Sequence, residues 1–230
     1  MKNGDLTKEK QRVAEMMRYE RQAYRKGHQI IAGLDEAGRG PLAGPVVAAA
    51  VILPPDFFVA GINDSKQISV TKRGRLAAKI KQQAIDWAVA SVYPSRLDEI
   101  NILNAAREAM CQCIHHLSVR PDYLLIDALR LHDLEIEQMS LIKGDCLSAS
   151  IACASILAKV ERDMAMEGFD RLYPGYGLAK HKGYATREHI EALHRLGPCA
   201  VHRRSFDPIK SWFTAGNGYQ QTALFEQEEP

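Results

Sequence analysis

The apolar and polar positions along the chain follow two different periods, which alternate and predict strands and helices in succession. Apolar runs of strand length occupy 29–34, 46–53, 85–92, 123–126 and 139–142. Apolar residues recur at helical spacing through 6–26, 71–84, 101–117, 147–168 and 187–196. Strands that come first and then alternate with helices indicate an α/β protein whose helices are layered on a mixed sheet.

The two ends of the chain differ in character from its middle. At 230 residues the chain is long enough to bury one hydrophobic core. Residues 1–28 are predicted to form a charged helical extension, 29–213 a single folded domain, and 214–230 a polar, disordered tail. Between the first two strands, glycines and prolines break regular structure and predict a tight turn over 38–45.

The composition of the chain gives limited information about its cellular compartment and its binding partners. The longest apolar run, 46–53, is far too short to cross a bilayer, and the N-terminus lacks the apolar segment of a secretion signal. We therefore expect a cytoplasmic protein without membrane contact. Five cysteines without a paired spacing indicate reduced thiols. Residues 171–210 hold eight basic and three acidic residues, an excess of five that suits a polyanionic partner and a solvated surface equally.

Four carboxylates stand beside the ends of apolar elements. Asp35 and Glu36 lie where the first strand meets the glycine-rich turn, Asp127 ends the fourth strand, and Asp145 precedes the long helix. If those strands are neighbours, Asp35 and Asp127 come side by side, and clustered carboxylates repel each other unless a cation neutralises them. Oxygen ligands favour Mg²⁺ or Mn²⁺ over Zn²⁺. One such acid alone is more often a capping residue, so the predicted metal site rests on the combination.

A set of short segments carries a resemblance to a known family. The chain contains IAGLDEAGRG at 31–40, followed in order by NDSK, YLLID, IKGD, SIACASILAKVERD, HKGY and HRRSF. In this order they resemble the type 2 ribonucleases H, the ribonuclease HII family, from Tyr19 to Lys210. Seven ordered segments are far more specific than a single DEAGRG match. The type 3 enzymes carry a different motif in place of 36–40, which disfavours them.

The resemblance implies a fold, a reaction and a set of metal ligands. The fold is ribonuclease H-like, a mixed five-stranded sheet flanked by helices, with 29–213 as the catalytic domain including a helical C-terminal part. The family's four acids correspond to Asp35, Glu36, Asp127 and Asp145, which would hold two Mg²⁺ or Mn²⁺ ions. The implied activity is endonucleolytic hydrolysis of the RNA strand of RNA/DNA hybrids. This activity includes cutting 5′ of single ribonucleotides embedded in duplex DNA, and its products carry 5′-phosphate and 3′-hydroxyl ends. It implies a role in removing ribonucleotides from DNA.

The same resemblance implies residues that recognise the substrate. Gly38, Arg39 and Gly40 would contact the 2′-hydroxyl through backbone groups, although an isolated GRG is more often a plain turn. Tyr184 would pack on the sugar of the next nucleotide, although such a tyrosine is otherwise a common surface aromatic. Candidate phosphate contacts, each of which alone is more often a solvated polar group, are Ser65, Lys66, Lys143, Lys182 and Arg203.

Partners and alternative functions complete the sequence-based expectations. The segment Gln221–Phe225 resembles the short peptides that bind bacterial sliding clamps, although a five-residue match in a tail is weak. Nothing in the sequence requires more than a monomer. Two other functions stay open at this point. One is a nuclease or polynucleotide transferase that acts on DNA, and the other is a catalytically silent nucleic-acid-binding module.

Overall fold

The sheet has five strands, and the second strand along the chain runs antiparallel to the other four. The structure is a computed structural model that describes residues 3–63, 65 and 68–214. The strand order is β3-β2-β1-β4-β5, with β1–β2 and β2–β3 antiparallel and β1–β4 and β4–β5 parallel. The strands are β1 Ile31–Ala37, β2 Val46–Ile52, β3 Asp86–Val92, β4 Tyr123–Asp127 and β5 Glu137–Leu141. The mixed five-stranded sheet expected from the resemblance is confirmed.

Helices cover both faces of this sheet and form a separate C-terminal cluster. Alternate residues of the strands point to opposite faces, so Ala48 and Ala50 pack under α4 while Ala49 and Val51 pack under α6 and α3. Leu42 joins the C-terminal cluster around α7 and α8. The helices are α1 Asn3–Met16, α2 Arg18–Arg25, α3 Val70–Gln83, α4 Pro94–His116, α5 Gly144–Leu147, α6 Ala149–Leu172, α7 Leu178–His181, α8 Arg187–Leu196 and α9 Ile209–Thr214.

Several elements differ from the sequence-based expectation in their limits, most clearly the N-terminal helix, α4 and β1. The N-terminal helix is interrupted at Met17, whose ψ of 10° leaves the helical range. Helix α4 begins at Pro94 and is broken at Asn101, where φ is 67°. The Asn101 carboxamide oxygen accepts hydrogen bonds from the backbone N–H groups of Leu103 and Asn104, which caps the second part of the helix. Strand β1 extends past Leu34, so that it includes both candidate acids.

The predicted division of the chain into extension, domain and tail stays a prediction. Helices α1 and α2 account for the described part of 1–28, and they are anchored on the domain by Glu20, which is buried against the start of α6. The predicted tail at 214–230 lies outside the described residues, apart from the last position of α9. Within the described part of the chain, no helix is both long and apolar enough to cross a membrane.

Candidate active site

Asp35 lies in β1, the central strand, at the edge where the parallel strands end. The last paired residues of β1 and β4 are Leu34 and Ile126, so Asp35 and Asp127 each come one residue later on adjacent strands. Only 5% of Asp35 is exposed. Its carboxylate accepts hydrogen bonds from the Ser155 hydroxyl and, at 2.7 Å, from the backbone N–H of Glu36. The expected side-by-side placement of the two strand ends is therefore present.

The electrostatics of Asp35 are those of a carboxylate held against other carboxylates. Burial raises the pKa of Asp35 well above its ordinary value, and the negative charges of Glu36 and Asp127 raise it further. The hydrogen bonds from Ser155 and the Glu36 backbone act in the opposite direction and are too weak to restore the normal pKa. A positive charge placed among these three side chains would remove the cause of the repulsion.

Asp145 reaches the same edge of the sheet through a short connection from β5. The backbone N–H of Gly144 donates to Asp127 Oδ1 at 2.7 Å, which fastens the start of α5 to the end of β4. A side chain at Gly144 would press on Ile151 and approach Asp127 Oδ1, so glycine permits this contact. Asp145 is the next residue and is buried.

The four acids supply only oxygen ligands, which suits Mg²⁺ or Mn²⁺. In residues 3–63, 65 and 68–214, no three His, Cys, Asp or Glu side chains are arranged as a complete metal site. Ligation of ions by all four acids would therefore require side-chain rotation, which the attraction between a cation and these carboxylates would favour. The chemistry of the donor set fits divalent ions, and their ligation by Asp35, Glu36, Asp127 and Asp145 stays a prediction.

The glycine turn after β1 is held in place by two buried arginines. Arg203 donates to the carbonyl oxygens of Gly38, Arg39 and Gly44 at 2.6 to 3.0 Å. Arg162 of α6 donates to carbonyls further along the same turn. Gly38 has a φ of 98°, and a side chain there would collide with the Arg162 side chain. The backbone conformation of the predicted ribonucleotide-recognition turn is therefore fixed from inside the protein.

Tyr184 lies beside this turn, at the surface. It is 47% exposed, and a Cβ placed on Gly40 would lie 3.9 Å from the Tyr184 Cε1 atom. The segments are also joined by backbone hydrogen bonds, including one of 2.8 Å from Leu42 N–H to the Gly183 carbonyl. The structure thus brings together two groups of residues that are separated by about 140 positions in the sequence.

The five predicted phosphate contacts have very different environments. Lys143 is exposed, in a left-handed conformation immediately before α5. Lys182 pairs with Glu167 at 2.8 Å. Lys66 lies outside the described residues. Ser65 is only 3% exposed and Arg203 is fully buried, and their contacts with phosphate stay predictions. Their polar groups already bind protein partners, so this geometry favours positioning roles over direct contact with phosphate.

Sequence reasoning missed one residue that contacts a candidate acid. The Ser155 hydroxyl donates to Asp35 and lies 2.9 Å from the Ser65 hydroxyl, which links α6 to the loop before α3. Ser155 lies in an alanine-rich helix, where a serine carries no sequence signal of such a role. Its only hint is the helical spacing that places it one turn after Ile151, on the face that covers β1.

Comparisons with known proteins identify the family to which this chain is similar. The sequence profile of the family described as Ribonuclease HII matches residues 32–209. A Ribonuclease HII from Syntrophomonas wolfei subsp. wolfei is 61% identical over 221 residues, which cover 96% of this chain and 87% of that protein. A Ribonuclease HII from Moorella thermoacetica is 56% identical over 198 residues, which cover 86% of this chain and 96% of that protein.

Solved structures extend the similarity to the fold. The ribonuclease H2 from Pyrococcus horikoshii has a TM-score of 0.67 at 24% identity, covering 80% of this chain and 96% of that one. RNase HII from Archaeoglobus fulgidus, in a complex with PCNA, has a TM-score of 0.63 at 28% identity, covering 84% and 98%. Bst-RNase HIII in complex with Mn²⁺ has a TM-score of 0.64 at 20% identity, covering 81% and 70%. From the family profile and the close relatives, the chain belongs to the ribonuclease HII family of endoribonucleases.

Proposed function

We propose that this ribonuclease HII cuts RNA joined to DNA by a metal-dependent hydrolysis centred on Asp35, Glu36, Asp127 and Asp145. The observation that carries the proposal is the buried Asp35 carboxylate, held beside two further acids at the ends of parallel strands. Buried carboxylates are retained at such a cost where they hold a cation. The Mn²⁺ complex of Bst-RNase HIII supports a divalent ion in this fold, and Mg²⁺ would satisfy the same ligands.

The chain's own residues would bind the ions and orient one phosphodiester. Bound divalent ions supply activation of the attacking water and stabilisation of the leaving 3′-oxygen. Asp35 has its orientation set by Ser155, and Asp127 by the backbone N–H of Gly144. Since water attacks rather than the neighbouring 2′-hydroxyl, we expect 5′-phosphate and 3′-hydroxyl ends. No side chain needs to act as a nucleophile.

We infer that the turn at Gly38, Arg39 and Gly40 reads the ribonucleotide. Only RNA carries a 2′-hydroxyl, which both donates and accepts hydrogen bonds. Arg39 and Gly40 are exposed, and the turn's backbone is held rigidly by Arg203 from the buried side. A rigid backbone at the surface suits recognition of a small polar group because little entropy is lost on binding.

Tyr184 is proposed to recognise the nucleotide that follows the ribonucleotide. Its exposed ring stands next to Gly40, so a sugar bound beyond the turn would meet the ring face. A deoxyribose is less polar than a ribose and packs more favourably on an aromatic ring. This placement supports selection of RNA–DNA junctions and of single ribonucleotides in duplex DNA.

The tail segment Gln221–Phe225 is proposed to bind a sliding clamp. The Archaeoglobus fulgidus RNase HII was solved in complex with PCNA, which supports a clamp partner for this chain. The segment lies outside the described residues. Retention of the full chain on immobilised bacterial clamp, lost in the Phe225→Ala variant, is the expected result. Equal retention of both proteins would reject the proposal.

The decisive experiment uses a labelled DNA duplex with one ribonucleotide. The full chain should cut 5′ of the ribonucleotide with Mg²⁺ or Mn²⁺ and not with EDTA. Asp35→Asn should nearly abolish cutting while still binding the duplex. An all-DNA duplex is the matched control, and its cleavage would favour the DNA-directed alternative. Binding without cutting in either metal would favour the silent binding module.

A further inference from the structure

Three buried histidines meet in the C-terminal helical cluster, apart from the four acids. His181 ends α7, His189 lies in the first turn of α8, and His202 follows that helix. The rings of His181 and His189 are stacked, with centroids 4.3 Å apart and planes 20° apart. The His189 and His202 ring centroids are 5.2 Å apart. The sequence gives these histidines no role by spacing, and the proposed reaction does not use them.

Hydrogen bonds assign the protons of His189 and His202. The Tyr184 carbonyl oxygen only accepts, so His189 Nδ1, at 2.9 Å, carries the hydrogen. In a neutral ring Nε2 of His189 is then an acceptor, and His202 Nε2, at 3.0 Å, must donate to it. His202 Nδ1 is left as an acceptor and receives the Cys199 backbone N–H at 3.0 Å. The N–H groups of these hydrogen bonds therefore all point the same way, from the Cys199 backbone towards the Tyr184 carbonyl oxygen.

His181 completes the arrangement from the other side of the ring stack. Its Nε2 lies 2.7 Å from the Tyr176 carbonyl oxygen and must donate to it. Its Nδ1 then accepts the backbone N–H of Gly183 at 3.2 Å. All six ring nitrogens of the three histidines are used in these bonds, so the cluster leaves no lone pair for a metal. Each histidine is neutral, and protonation of His189 or His202 would place two donors face to face.

The ends of this network are the backbone groups that carry the Tyr184 ring. Gly183 N–H is held by His181 and the Tyr184 carbonyl by His189, while the Gly183 carbonyl binds Leu42 of the glycine turn. We propose that His181, His189 and His202 form a directed relay of neutral imidazoles that positions Tyr184 against the glycine turn. They would thereby set the selectivity for RNA–DNA junctions. The last step rests on the proposed role of Tyr184.

The first test measures selectivity. Selectivity is defined as the ratio of the cleavage rate at a single ribonucleotide in DNA to the cleavage rate on a continuous RNA/DNA hybrid. His189→Leu removes both hydrogen bonds of the central ring, and this ratio should fall by roughly 5- to 10-fold. His189→Asn should recover part of the loss, because the asparagine amide can donate to the Tyr184 carbonyl. The matched control is His194→Leu, an exposed histidine of the same helix, which should leave the ratio unchanged.

A double-mutant cycle separates positioning from general support of the fold. Tyr184→Ala should lower the same ratio, and adding His189→Leu to it should lower the ratio no further, because the two residues act as one unit. Equal losses on both substrates in His189→Leu, or a full additional loss in the double variant, would overturn the positioning role.

The second test needs no variant and no activity. Spectra of the full chain with ¹⁵N-labelled histidine should show the Nδ1–H tautomer for His189 and the Nε2–H tautomer for His181 and His202. His189 and His202 should remain neutral at about pH 5.5. A charged ring or the opposite tautomer at His189 would overturn the relay itself. Correct tautomers with an unchanged ratio in Tyr184→Ala would instead reject the proposed role of Tyr184.

Discussion

Asp35 is the residue at which burial and charge conflict most strongly. Burial, followed by the charges of Glu36 and Asp127, raises its pKa well above that of an exposed aspartate. The stability that accompanies protonated Asp35 is present at low pH and is lost as the pH rises through this raised pKa. Above this raised pKa and without metal, the ionised side chain therefore opposes folding, and the site sacrifices stability for its chemistry.

Replacing this one acid should make the metal-free protein more stable. We expect Asp35→Asn to raise the free energy of unfolding in EDTA by about 1–2 kcal/mol at neutral pH, measured by chemical denaturation. Saturating Mg²⁺ should stabilise the unaltered protein and reduce this advantage. A lower stability of Asp35→Asn in EDTA would contradict the electrostatic account.

A second buried aspartate provides the matched control. Asp163 pairs with Arg73 at 3.0 Å and with Lys159, so cations neutralise it within the protein. Asp163→Asn should therefore destabilise the protein, by roughly 3–5 kcal/mol, because it leaves a buried arginine without its partner. If Asp35→Asn raises the free energy of unfolding and Asp163→Asn lowers it, the two results distinguish the metal-site acid from the structural acid.

Among elements, the contact between β1 and α6 positions Asp35 relative to Ser155. Gly33 allows this contact, because a side chain there would overlap the backbone of Ser150 and Ile151. Gly33→Ala should lower the free energy of unfolding by roughly 1–3 kcal/mol and reduce cutting on every substrate. Thermal and chemical unfolding provide the measurement. Gly74→Ala in α3 is the control, since open space surrounds Gly74 and alanine favours the helix.

The buried histidines around α8 make the stability of this part of the fold depend on pH. Burial lowers the pKa of His189 to about 4 and that of His202 to about 3, with smaller effects of neighbouring histidines. An unfolded histidine titrates near 6.5, so the unfolded chain binds more protons as the pH falls. Stability from these groups is therefore complete above about pH 6.5 and declines toward the lowered pKa values.

We expect this decline as a falling denaturation midpoint between about pH 7 and 4.5, measured in EDTA. The pH slope should be smaller in His202→Asn, which removes one titrating group. An equal slope in the two proteins would show that these histidines do not control the decline. The other titratable side chains that face this histidine cluster are Tyr176, His181, Glu188 and Cys199.

At the scale of the whole molecule, the net charge of +2 is too small to bind a polyanion by itself. Local placement has to supply the attraction. Lys143 is exposed directly before α5, the short helix that contains Asp145, so it remains the best placed of the predicted phosphate contacts. Ser65 and Arg203, by contrast, are buried, and their polar groups bind protein partners.

Lys143→Ala should weaken duplex binding by a similar factor for every sequence. The slope of log affinity against log salt should fall by about 1, which a salt titration of binding in Ca²⁺ or EDTA would measure. Lys79→Ala, which removes an exposed lysine from α3, is the control and should leave the slope unchanged. An unchanged slope in Lys143→Ala would exclude the phosphate contact.

Local sequence patterns were enough to predict the types of the secondary-structure elements and the identity of the candidate acids. Local signals account for this success: strand-length apolar runs predicted all five strands, and Thr186 and Gly197 correctly bounded α8. The segment 94–100 of α4 was not predicted to be helical, although the second part of that helix begins at Asn101 as predicted. The interruption of the N-terminal helix was missed because Met17 gives no strong local stop signal. The ordered motifs also placed the chain in its family, because that information lies in residue identity.

Which side chains lie close together depends on the tertiary structure and could not be predicted from local sequence patterns. Asp35 and Asp127 are 92 positions apart, and the parallel pairing of β1 with β4 places them on adjacent strand ends. Arg203 looked like a phosphate ligand in the sequence and is a buried support of the glycine turn. The reason is physical: whether a charged side chain meets solvent, a carbonyl or another charge depends on long-range packing, which local periodicity does not encode.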